Sequence, residues 1–74
     1  MTLSQIAEII ASKAVREIND DNISLQAAKT IFSGVSLLIT RMHHRREIND
    51  NKYDYCISIL TIAMANKEKR QNNE

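Results

Sequence analysis

Apolar residues recur every three or four positions in three stretches of this chain, and clusters of Asn and Asp separate the stretches. Leu3, Ile6, Ala7, Ile10, Ala14 and Ile18 keep the i, i+3/i+4 rhythm that lines one face of a helix. Ile9 and Val15 widen that stripe. Ala28, Ile31, Phe32, Val35, Leu38, Ile39 and Met42 make a second stripe, with Leu25 and Leu37 beside it. Tyr53, Cys56, Ile57, Leu60, Ala63 and Met64 make a third, with Ile59 and Ile62 to one side. The strict alternation of a strand is absent. There is no proline and one glycine, Gly34, too little turn chemistry for a β-rich fold. The pattern predicts an all-α fold.

The string Arg-Glu-Ile-Asn-Asp occurs twice, at Arg16–Asp20 and at Arg46–Asp50. A charged helix end followed by Asn-Asp reads as a stop and a turn. Outside the two strings an alignment of the halves is poor, so convergence on the same stop signal explains them better than duplication. They cut the chain into helices over about residues 3–18, 23–46 and 51–66, with a polar, frayed or disordered tail over about 67–74. The expected architecture is a three-helix antiparallel bundle with a long central helix. Thr2 and Gln5 have the spacing of a capping box for the first helix. The Asn19–Asn22 cluster and Ser24 offer caps for the second, and Asn51 with Asp54 for the third. Gly34 falls inside the central helix. Either a neighbouring backbone packs closely there, or the helix breaks.

Length changes the picture of stability. A chain of 74 residues allows one domain, and so small a domain buries only about 60% of the surface its unfolded chain exposes. Such scaffolds usually gain a disulfide, a metal or a partner chain. Cys56 is the only cysteine, which excludes an internal disulfide and a cysteine-rich metal site. The three stripes also carry more aliphatic surface than one bundle seam consumes. A homo-oligomer is therefore expected, a two-fold dimer most simply, with Ile9, Val15, Leu37, Tyr55, Ile59 and Ile62 as its interface or as a partner's.

Ten Lys and Arg against nine Asp and Glu leave a net charge of +1, too balanced for attraction of nucleic acid or anionic membrane by the whole surface. No uninterrupted apolar run exceeds four residues, far short of a membrane span, and the first residues lack the basic region of a signal peptide. A cytoplasmic protein with a reduced Cys56 is expected.

Local charge is less even. Arg41-Met42-His43-His44-Arg45-Arg46 is the densest basic cluster, and Arg41, His44, Arg45 and Arg46 are candidates for polar or phosphate contacts. Cations near a helix C-terminus also complement its dipole, and Glu47, Asp50 and Asp54 stand near enough in sequence to pair with them. Adjacent helical positions diverge by about 100°, so His43 and His44 do not face one ion together. They are expected to be solvated, and no metal or cofactor is expected. Cys56 lies on the apolar stripe, where it reads as a small core residue. Tyr53 is expected in the core and Tyr55 at a rim. No phosphate loop, nucleophile–base set or paired carboxylates in an apolar setting is visible, so no enzymatic activity is expected.

Gln26-Ala27-Ala28-Lys29-Thr30-Ile31-Phe32-Ser33-Gly34-Val35-Ser36 resembles part of the helix-turn-helix of phage and bacterial repressors. The resemblance rests on the Gln-Ala opening and the Gly-Val-Ser turn. It implies a sharp turn at Gly34 and a recognition helix after it. Thr30 stands where that motif has a small Ala, and Leu37 and Leu38 occupy positions that would meet bases. Two functions follow. The favoured one is a small non-enzymatic regulator or adaptor that binds another protein through helix faces, of a kind suited to a bacterial or phage accessory role. The alternative is a DNA-binding regulator that uses Gln26–Met42 or the Arg41–Arg46 patch.

Overall fold

A computed structural model describes Met1–Asn72, and these residues form three α-helices: α1 (Leu3–Asn19), α2 (Leu25–His44) and α3 (Asp50–Asn72). The described residues include no strand, so the chain is all-α as its periodicity predicts. Every helix packs on the other two, α1 most extensively on α3. The whole measures 41 × 18 × 15 Å, the proportions of rods laid side by side.

The start of each helix has a visible cause. Thr2 Oγ1 accepts from the Gln5 amide and Gln5 Oε1 accepts from the Thr2 amide, so the predicted capping box forms at α1. Ser24 caps α2 by accepting from the Ala27 amide at 3.1 Å. At α3 the cap is Asn49, whose Oδ1 accepts from the Lys52 amide at 2.8 Å, so the helix begins ahead of the expected Asn51. The first turn is held by Asp20, whose carboxylate accepts from the Asn22 amide and whose carbonyl accepts from Ile23.

The core is thin. Ala7, Ala11 and Ala14 of α1, Ala28 of α2 and Ala63 of α3 are buried, and these small side chains let the helices approach closely. Ile18, Ile39, Cys56 and Leu60 are the larger apolar groups that lose all contact with water. Val15, Ile23, Leu25, Ile31, Phe32, Val35, Tyr53, Ile57 and Ile59 pack around them, partly buried.

Four expectations change. The central helix is not the long one: α2 has 20 residues and α3 has 23. The residues after Asn66 do not start a frayed tail, because α3 continues through them to Asn72; residues 73 and 74 of the expected tail lie outside the described residues. Position 67 falls on the apolar stripe one turn beyond Ala63 and Met64. Lys67 is buried there, its methylenes in the core and its Nζ donating to the Asp20 carbonyl at 2.7 Å. That cation sits at the C-terminal end of α1, where the helix dipole favours it. Leu38, placed on the core stripe by spacing, is 44% exposed, because the partners of α2 cover a narrower arc centred on Ala28, Ile39 and Met42. Gly34 neither breaks α2 nor touches a neighbour: the helix runs through it, and a Cβ built there would meet nothing within 4 Å. Gln26–Met42 thus lies in one unbroken helix, and the turn of a helix-turn-helix is not formed.

The two Arg-Glu-Ile-Asn-Asp strings take different conformations. Arg16–Asn19 is the last turn of α1, whereas Arg46–Asn49 is the connection from α2 to α3. In the connection Arg46 has a φ of 60°, its amide donates to the His43 carbonyl, and the Glu47 amide donates to the Met42 carbonyl. This is a Schellman ending with Arg at the left-handed position that usually holds Gly. Ile18 and Ile48 are both buried, so the same isoleucine is the anchor in each string.

Candidate functional site

Helix geometry sorts the exposed apolar residues into two surfaces. Glu8 of α1 and Lys52 of α3 are paired, and further along Arg70 approaches Asp21 at 3.9 Å. Together with the Lys67–Asp20 bond, these contacts run in the same order on both helices, so α1 and α3 are parallel. The Lys52 ammonium also stands 5.6 Å from the Tyr55 ring centroid, which puts Tyr55 on the side of α3 that faces the α1 seam. Ile59 and Ile62 follow Tyr55 at i+4 and i+7 along that side. Ile9 and Val15 belong to the facing helix.

The exposure of these residues differs. Ile9, Tyr55 and Ile62 are 52%, 47% and 60% exposed, large values for side chains of their size. Val15 and Ile59 are half-buried and pack against the core. The seam thus has a partly buried floor and exposed rims. Leu37, 52% exposed, does not join it. His43 stacks on Tyr53 of α3, which fixes the side of α2 that faces α3. Leu37 lies about 120° around the helix from His43, on the outer surface with Leu38 and Gly34. The six residues proposed from the sequence as one interface therefore fall on two surfaces. Leu38 was missed as a surface residue because its spacing is that of a core position.

The basic cluster is likewise divided. Arg41, His44, Arg45 and Arg46 are exposed. Among the described residues, no carboxylate forms an ion pair with Arg41, Arg45 or Arg46. His43 is engaged, against the expectation of a solvated ring. It stacks on Tyr53 with centroids 4.2 Å apart and planes 13° from parallel, and its Nε2 lies 2.6 Å from Asp50 Oδ1. Of the three carboxylates expected to pair with the cluster, only Asp50 does so, and its partner is the histidine. His43, His44, Arg46, Glu47, Asn49 and Asp50 line an open depression at this corner, with both charge signs present.

Cys56 occupies the core position expected for it and is fully buried. Burial pushes its thiol above the ordinary range, the Lys52 cation opposing that shift only in part, so a reactive thiolate is disfavoured there. Among the described residues no group of His, Cys, Asp and Glu is arranged to hold a metal, and no helix is long and apolar enough to cross a membrane. Comparison with protein-family models, with curated proteins and with solved structures yields no match.

Proposed function

We propose that this chain is a small non-enzymatic binding module, a regulator or adaptor that acts by protein contact through its helix faces and associates with itself along the α1–α3 seam. One observation carries the reading: large apolar side chains, Ile9 of α1 and Tyr55 and Ile62 of α3, stand exposed in a domain whose core draws five of its twelve buried apolar residues from alanine. Burying them against a second copy would add apolar surface that the monomer lacks, at roughly 25 cal/mol per Å². A two-fold axis along the seam gives the simplest closed assembly. In this reading the protein works in the cytoplasm with Cys56 reduced, in an accessory role in a bacterial or phage setting.

Sedimentation equilibrium at micromolar concentration tests the proposal. A dimer mass is expected, falling to one chain in Ile62→Asp with the helical circular dichroism retained. A single-chain mass in the native protein across that range refutes the self-association. A second reading has one observation in its favour: Arg41, Arg45 and Arg46 carry no ion pair among the described residues, as phosphate-contacting side chains would. Salt-sensitive binding to random duplex DNA, lost in an Arg41→Glu, Arg45→Glu double variant, would support that reading.

A further inference from the structure

Charge is segregated in this chain in a way its net value of +1 conceals. All nine carboxylates lie outside residues 22–46, whereas Lys29, Arg41, Arg45 and Arg46 lie inside. The same segment holds α2, whose outer surface exposes Leu37 and Leu38 at its centre and Gly34 one turn earlier. No carboxylate therefore interrupts that helix. Along the helix, Lys29 lies about two turns before this apolar centre and Arg41 one turn after it.

We propose that the outer face of α2 docks an acidic amphipathic helix of a partner protein. The inference rests on the reading of the chain as a protein-binding module. The partner's apolar stripe would cover Leu37 and Leu38, and its carboxylates would meet Lys29, Arg41 and Arg45. The open space over Gly34 lets the two backbones approach closely at the crossing. A second copy is a poor occupant of this face. It would set Lys29 and Arg41 against like charges, with no carboxylate on either α2 to offset them. Nucleic acid is disfavoured by two leucines where phosphates or base edges would lie.

The test uses isotope-labelled full-length protein and three probes: a synthetic Leu/Glu amphipathic helical peptide, its Leu/Lys counterpart, and a random-sequence DNA duplex. The Leu/Glu peptide is expected to give saturable amide shifts at Gly34, Leu38 and Arg41, and the Leu/Lys peptide none. Arg41→Glu should weaken binding by about fivefold. Gly34→Leu should abolish binding while leaving the protein folded and no less stable, a combination that a purely structural glycine would not give. Absence of saturable shifts, shifts confined to the α1–α3 seam, or equal binding of the Leu/Lys peptide overturns the proposal. Duplex DNA that shifts the α2 amides where the Leu/Glu peptide does not also overturns it, assigning the face to nucleic acid. The seam is read independently by sedimentation of Ile62→Asp. If the peptide fails while the seam still dimerises, only the α2 inference falls; if both fail, the binding-module reading falls with it.

Discussion

Replacing Gly34 with alanine is expected to stabilise the protein. Gly34 lies in the interior of a continuous α2, and its φ is not positive, so alanine can adopt its backbone conformation. An added Cβ meets no atom within 4 Å, so no steric cost opposes the change. What remains is the propensity difference in a helix interior, about 1 kcal/mol, part of it from the greater freedom of Gly in the unfolded chain. In a domain of this size that corresponds to a rise in melting temperature of about 4–8 °C. Urea titration followed by helical circular dichroism at low micromolar protein measures it, with an unchanged m-value as the sign that the surface exposed on unfolding is the same in both proteins. A loss of stability would refute the reasoning, since it would mean that another chain or a bent backbone occupies the space over Gly34. Repeating the titration at tenfold higher concentration separates those causes, because only an intermolecular contact makes the loss depend on concentration.

Four further outcomes are expected. Arg46→Gly should gain about 0.5–1 kcal/mol by relieving the left-handed backbone at φ 60°, less the entropy of the freer unfolded chain, again read by urea titration. Ile39→Ala should cost about 2–4 kcal/mol, because that side chain is fully buried, whereas Leu38→Asp should leave the monomer folded; equal losses would refute the exposed placement of Leu38. Ser36→Ala should be neutral or stabilising by up to about 1 kcal/mol, since Ser36 Oγ is out of solvent without a hydrogen-bond partner. Stability should fall as the solution becomes alkaline. Burial raises the Cys56 thiol above its ordinary 9.0, and the hydrogen bond to Glu8 raises Lys52 above 10.5. Both contributions are whole below those ordinary values and are lost as pH climbs from each toward the raised folded value, because the unfolded chain releases its protons first. Urea midpoints taken between pH 8 and 11 in reducing buffer would show the decline, and Cys56→Ala should remove its earlier part.

The helix count, the Thr2 capping box and most of the core were legible in the sequence, because period and cap chemistry are local. Tertiary context decided the rest. Leu38 has a core spacing, yet the width of the buried arc on α2 depends on where α1 and α3 lie. Lys67 was assigned to a polar tail by its charge. Continuing the stripe of Leu60, Ala63 and Met64 by one turn would have placed its methylenes in the core. The second Arg-Glu-Ile-Asn-Asp reads like the first, but Ile18 enters the common core from the last turn of α1, whereas Ile48 enters it from the connection that follows the left-handed Arg46. In the candidate sites, exposure of Ile9, Leu37, Tyr55 and Ile62 followed from surplus apolar residues. Their division between two surfaces required knowing which side of α2 faces α3 and which side of α3 faces α1.

The bond from Lys67 to the Asp20 carbonyl links residues 47 positions apart. It closes the end of α1 with a side chain from late in the chain, and α1 also finds its widest packing on α3. During synthesis, α1 and α2 emerge first and can pair as a hairpin, but their alanine-rich surfaces stay wet until the last turns of α3 leave the ribosome. Completion of the fold therefore waits for the last turns of α3. Chains interrupted near Asn66 would reach the cell with the first helix unsealed and its buried alanines open to proteolysis.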